Sequence, residues 1–115
     1  MLDHEKLDVY QCSIEFLALS VQVIETLPKG YSALVDQLKR ASWSIPLNIA
    51  EGCGKNSFPD KQRFYAFARG SAMECAAILD VLNVLKIIQP PLFDEGKQLL
   101  HRIVSMLTKM CRRIH

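Results

Sequence analysis

At 115 residues the chain has the length of one domain (residues 1–115), enough for a real core and too little for a second. Half the residues are hydrophobic and 23% are charged, and only five glycines and five prolines occur, which favours few, long helices. A net charge of +2 excludes a global polycation, and no apolar run approaches the roughly 20 residues that span a bilayer.

Asp8 stands where a helix N-cap is expected, with Gln11 in capping-box register. Val9, Ile14, Phe16, Leu17, Val21, Ile24 and Leu27 then recur near helical spacing, and Pro28-Lys29-Gly30 ends the first helix. The second helix is predicted from just after Ser32 to about Gly52. On a helical wheel Leu34, Leu38, Ala41, Ile45 and Ile49 share an arc of about 80° and form a core stripe. Gln37, Arg40, Ser44, Asn48 and Glu51 form a polar seam beside it. Trp43, Leu47 and Ala50 lie opposite the core, where a monomeric bundle would carry charge. That face reads either as a contact with another subunit or as a lone surface tryptophan.

Cys53 to Pro59 is a loop, and Ser57 is placed to cap the third helix, with Asp60 at the capping-box acid position. This helix is predicted from about Phe58 to Ile88. Phe64, Phe67, Ala68, Ser71, Cys75, Ile78, Leu79, Leu82 and Leu85 make its core stripe. Gly70 and Ser71 are small enough to admit a neighbouring helix. Gln89-Pro90-Pro91 stops the segment. The fourth helix is predicted from about Leu92 to Ile114, with Asp94 and Glu95 in its first turn and Arg112 and Arg113 in its last. Its core side is Leu99, Leu100, Ile103, Val104, Met106, Leu107, Met110, Cys111 and Ile114. The fold class is therefore all-α, an antiparallel up-down-up-down four-helix bundle.

Charge is segregated along the chain: residues 39–70 hold six bases and two acids, and residues 97–115 hold five bases and no acid. The topology gathers Lys55, Lys61, Arg63, Lys109, Arg112 and Arg113 at one pole, with Asp3, Glu5 and Asp8 partly offsetting them. Such a pole offers phosphate contacts that are salt-sensitive and largely blind to sequence. Solvated helix faces also carry lysine and arginine for no further purpose.

No catalytic constellation appears, and no enzymatic activity, cofactor or metal is expected. The histidines His4, His101 and His115 are scattered. Gly52-Cys53-Gly54-Lys55 lacks the strand and spacing of a phosphate-binding loop. The cysteines Cys12, Cys53, Cys75 and Cys111 are expected as buried free thiols, which suits a cytoplasmic protein without a signal peptide. In the polar seam, Pro46 leaves the Ser42 carbonyl without a helical donor, which Asn48 is placed to serve. Glu51 is placed to pair with a base such as Arg69. These structural roles compete with direct ligand contact by Arg40, Ser44, Asn48 and Glu51.

Leu7-Asp8-Val9-Tyr10-Gln11, Gln37-Leu38-Lys39-Arg40-Ala41, Ser44-Ile45-Pro46-Leu47-Asn48-Ile49-Ala50-Glu51-Gly52, Arg63-Phe64 and Ala68-Arg69-Gly70-Ser71 with Glu74 follow one another at suitable spacing. Together they resemble the four-helix bundle family named for proteins encoded in intervening sequences of bacterial 23S ribosomal RNA genes. The accessory variability proteins of diversity-generating retroelements are similar. The resemblance implies a ring-shaped homopentamer and, in retroelement members, nucleic-acid binding and partnership with a reverse transcriptase. Cys53-Gly54-Lys55 departs from the family's usual glycine followed by arginine or tyrosine, and the basic content is modest. Both features favour the stand-alone or intervening-sequence branch.

The expected function is thus a non-enzymatic oligomer binding RNA or DNA through Lys55, Lys61, Arg63, Arg69, Lys109, Arg112 and Arg113. Trp43, Leu47 and Ala50 are expected at the subunit interface, and Arg40, Ser44, Pro46, Asn48, Glu51 and Gly52 in a structural motif. The alternative is a protein-interaction scaffold that touches no nucleic acid. No membrane partner is expected.

Overall fold

The computed structural model describes residues 1–112. They form four α-helices: α1 (Asp8–Thr26), α2 (Ser32–Cys53), α3 (Phe58–Val84) and α4 (Pro90–Met110), preceded by a 3-10 turn at Asp3–Lys6. No strand occurs among the described residues. Each helix packs on two others, α2 on α1 and α3, and α4 on α3 and α1. Helix α1 therefore lies across the bundle from α3. At 27 residues α3 is about 40 Å long, most of the 47 Å length of the molecule.

Helix α1 buries Val9, Cys12, Phe16, Leu19 and Val23, a 3-4-3-4 stripe. Ile14 and Val21, part of the same apolar series in the sequence, are 40% and 46% exposed. The cap also differs from expectation. Leu7 is the N-cap, Asp8 is the first helical residue, and Gln11 Nε2 donates to the Glu5 carbonyl at 3.2 Å. Buried Ser13, Ser20 and Ser42 donate to the carbonyls three residues back (Tyr10, Leu17 and Lys39), so none leaves an unpaired hydroxyl.

The predicted stripe of α2 holds: Leu38, Ala41, Ile45 and Ile49 are buried and Leu34 is half-buried. The helix runs through Pro46 and ends at Cys53, with Gly54 as C-cap, rather than closing at Gly52. Gly52 has a different use. A Cβ there would lie 2.8 Å from Tyr65 Cε1 and 3.1 Å from Phe64 Cβ, so its bare Cα lets α3 approach.

Ser57 caps α3 as expected, its Oγ accepting from the Asp60 amide at 3.3 Å. The core stripe is rotated from the prediction. Tyr65, Ala68, Ala72, Cys75, Ile78, Leu79 and Leu82 are buried, whereas Phe67 and Leu85 are 53% and 43% exposed. Gly70 does not serve helix packing, because an added Cβ meets nothing within 4 Å. The helix stops at Val84, short of Ile88. Lys86 takes φ 59°, its amide donates to the Asn83 carbonyl, and the Ile87 amide donates to the Leu82 carbonyl. These are the paired bonds of a Schellman ending, with lysine where glycine is usual.

Helix α4 begins at Pro90 and not at Leu92, since the two prolines fill first-turn positions whose amides need no helical partner. Asp94 and Glu95 consequently fall beyond the first turn, and Arg112 follows the helix end at Met110. Leu99, Leu100, Ile103 and Leu107 are buried as expected; Ile114 and Arg113 lie outside the described residues. At Gly96 a Cβ would sit 2.8 Å from Leu79 Cδ1 and 3.2 Å from Leu19 Cδ2. All four cysteines are free, but only Cys12 and Cys75 are buried; Cys53 and Cys111, at helix ends, are half-buried. Burial pushes the Cys75 thiol up to about 12, and raises Cys12 and Cys111 in the same direction.

Candidate nucleic-acid interface

The basic pole is assembled by contacts between α3 and the end of α4. Gln62 Nε2 donates to the Cys111 carbonyl at 2.6 Å, and Arg69 Nε donates to Thr108 Oγ1 at 2.8 Å. The α2–α3 loop sits at the same end, where Lys61 Nζ reaches back to the Cys53 carbonyl at 2.9 Å. Lys55, Lys61, Arg63, Lys109 and Arg112 thus share one end of the molecule, as the topology suggested, and Arg69 joins α4 further along α3.

They are not equivalent. Lys61 also reaches the Gly52 carbonyl at 3.5 Å, and so covers the carbonyls that α2 leaves without helical donors. Arg69 is half-buried, and the Thr108 hydroxyl in turn donates a hydrogen bond to the Val104 carbonyl at 2.7 Å. Both bases hold helices together. Lys55 pairs with Glu51 at 3.5 Å and Arg63 with Asp60 at 3.9 Å, and both cations lie about 5 Å from the Phe64 ring centre. Exposed pairs of this kind contribute about 0–1 kcal/mol, so a phosphate can displace the carboxylate. Lys109 and Arg112 are exposed and make no ion pair among the described residues.

The polar seam closes the α2–α3 contact. Asn48 Nδ2 donates to Ser44 Oγ at 2.8 Å and to the Ser44 carbonyl at 2.9 Å, and Ser71 Oγ donates to Ser44 Oγ at 2.7 Å. Asn48 therefore serves Ser44 and not the Ser42 carbonyl freed by Pro46. Glu51 pairs with Lys55 and not with Arg69. Above the serines, Arg40, Ala41 and Glu74 complete the walls of a groove of about 250 Å³.

A larger feature lies on the other side of α2. Trp43 and Leu47 are 51% and 67% exposed, and Ala50 is half-buried beside them. With Tyr10, Ile14, Leu17 and Pro46 they line an apolar groove of about 330 Å³ between α1 and α2, and His4 stacks edge-on against Tyr10 at one end. Sequence reasoning found the α2 half of this face and missed the α1 half. The 4-3-4 spacing of Tyr10, Ile14, Leu17 and Val21 is the signal that would have found it.

Among the described residues, no group of three or more His, Cys, Asp or Glu side chains is placed to hold a metal ion. No helix among the described residues is long and apolar enough to cross a membrane.

A family model described as 23S rRNA-intervening sequence protein matches residues 5–109. Among solved structures, the fold is similar to that of a protein with unknown function from the S23 ribosomal protein family of Bacteroides thetaiotaomicron. The TM-score is 0.83 at 21% identity, over 91% of this chain and 99% of that one. No curated protein matches the sequence.

Proposed function

The chain belongs to the 23S rRNA-intervening sequence protein family, and on that premise we propose that it is a non-enzymatic, cytoplasmic, self-associating subunit that binds nucleic acid. The subunit is an antiparallel up-down-up-down bundle, and the assembly is a ring-shaped homopentamer. The observation that carries this reading is the exposed apolar face of Trp43 and Leu47, which a stable monomer has no reason to keep. Assembly repeats the basic pole. Five copies at +2 each give +10, with bases concentrated on one side of the ring.

Lys109 and Arg112 make the phosphate contacts, joined by Lys55 and Arg63 when RNA or DNA displaces Glu51 and Asp60. Lys61 and Arg69 keep their packing roles. Arg113 extends the basic set beyond the described residues. Kinship with the retroelement accessory proteins would add a reverse transcriptase as partner; the modest basic content favours the stand-alone branch. The second reading, an interaction scaffold, draws support from those same two ion pairs, which leave each subunit little uncompensated charge.

Light scattering behind size exclusion and RNA-binding anisotropy separate the readings. Binding is expected at micromolar concentration in low salt and to weaken at least tenfold between roughly 50 and 200 mM salt. Replacing Lys109 and Arg112 together by alanine should weaken it without changing assembly. Assembly without any RNA binding at low salt would favour the scaffold, and a monomer at tens of micromolar would contradict the ring.

A further inference from the structure

We infer that the subunits join head-to-tail: the α1–α2 groove of one copy packs on the outward face of α3 in the next. This rests on the self-association proposed above and names the second half of that contact.

The observation is a stripe on α3. Ala66, Gly70, Met73, Ala77, Val81 and Val84 follow at intervals of 4, 3, 4, 4 and 3, and every one is exposed. The stripe carries no charge over roughly 27 Å of helix. The charged neighbours turn to its flanks: Arg69 bonds Thr108 and Asp80 pairs with Lys97 at 2.6 Å, both on α4, while Glu74 lines the groove toward α2. A bundle helix normally sets its polar residues on the solvent side. Here a charge-free strip runs along that side, and nothing among the described residues covers it; an added Cβ at Gly70 meets nothing within 4 Å.

One chain thus presents two separate apolar faces. Trp43, Leu47, Ile14 and Val21 on the first, and Met73, Val81 and Val84 on the second, are each 40–79% exposed. With about 150–250 Å² for a large side chain, each face shows on the order of 400 Å² of apolar surface. Joining them buries roughly 800 Å². At the usual apolar share of about 57%, the whole contact is near 1,400 Å², the size of a specific protein interface.

Their shapes are unlike. The α1–α2 face projects a tryptophan and a leucine, whereas the α3 face is low where Ala66, Gly70 and Ala77 line it. Lys39, one turn before Trp43, and Glu74, beside the α3 stripe, are exposed and make no ion pair among the described residues, so the rims offer opposite charges. A two-fold dimer would use one face twice and leave the other bare; a head-to-tail contact covers both. Because α1 lies across the bundle from α3, the faces look out on different sides. Head-to-tail contacts of this kind close into a ring when the rotation per copy brings the last copy back to the first, and otherwise run on as a filament.

The test is complementation between full-length variants. Trp43→Glu spoils only the first face and Ala77→Glu only the second; Met73→Glu repeats the second. All three positions are exposed, and circular dichroism checks that the variants are helical. Each variant alone should sediment at the mass of one subunit, 13.0 kDa. Trp43→Glu mixed with Ala77→Glu should form a pair of about 26 kDa, twice that mass, because each supplies the face the other lacks. Wild-type-like assembly of both α3 variants would overturn the inference. So would a mixture that stays at one-subunit mass when each variant alone is arrested. A wild-type protein that is itself monomeric would instead overturn the self-association on which the inference rests.

Discussion

Gly52 and Gly70 look alike in the sequence and should respond oppositely to alanine. Both lie inside helices, where alanine is favoured over glycine by about 1 kcal/mol. At Gly70 the new Cβ meets nothing within 4 Å, so most of that gain is kept and Gly70→Ala should stabilise by about 0.5–1 kcal/mol. At Gly52 the Cβ would stand 2.8 and 2.9 Å from two ring carbons of Tyr65 and 3.1 Å from Phe64 Cβ. Tyr65 is only 7% exposed, so its ring cannot swing into solvent to make room. With a buried ring that cannot give, overpacking costs the upper part of its usual range, about 2–3 kcal/mol, which leaves Gly52→Ala less stable by about 1–2 kcal/mol after the helix gain. The two variants should differ by about 2 kcal/mol, or roughly 8 °C in melting temperature for a domain of this size. Thermal and urea denaturation should be followed in a Trp43→Glu background, because Gly70 lies on the proposed α3 contact face. A Gly52→Ala protein as stable as its parent would refute the argument that this glycine sets the α2–α3 distance.

Lys86→Gly should stabilise by about 1 kcal/mol, since φ 59° strains a lysine and suits a glycine; an unchanged urea midpoint would count against the Schellman ending. The Cys75 thiol gives a pH prediction. It holds its proton in the folded state up to about 12, against an ordinary value of 9.0. The unfolded chain sheds that proton first, so the thiol leaves stability unchanged below about pH 9 and lowers it progressively from there toward pH 12. Cys75→Ala should lose that part of the alkaline decline in urea titrations at about pH 8 and pH 10.5. In the native protein a thiol reagent should modify half-buried Cys53 and Cys111 well before Cys75.

Where one helix face was apolar and the other polar, periodicity located the core. The α2 stripe of Leu38, Ala41, Ile45 and Ile49 emerges from the wheel because Arg40, Glu51 and Gln37 exclude the alternatives. The same reasoning misplaced Phe67 and Leu85, because α3 is apolar on two sides and a wheel cannot say which side meets the bundle. In α1 the same ambiguity left Ile14 and Val21 in one apolar series with the buried Val9 and Phe16, with no face told apart. Helix ends failed where the stop carries no composition cue: Lys86 ends α3 in a conformation that sequence assigns to glycine, and Pro90 starts α4 where it was read only as a stop. In the candidate site, proximity of the bases was legible from topology. Their division into packing and free cations was not, because it depends on which carbonyl or hydroxyl each side chain reaches.

The misreadings share a cause that bears on function. A wheel is ambiguous only for helices with more apolar surface than one core can use, and here those are α1 and α3. Helix α2 joins the two surfaces. Ile45 and Ile49 fix it to the core, Ser44 and Gly52 fix it against α3, and Pro46, Leu47 and Ala50 form the wall of the groove with α1. The Ser44–Gly52 segment therefore holds the outer groove at a set distance from α3, which carries the second apolar face. If copies join through those two faces, this segment sets the angle between successive contacts, and so the number of subunits that close the ring. On that arrangement a nine-residue motif has a direct physical consequence: it specifies how many basic poles one assembly carries.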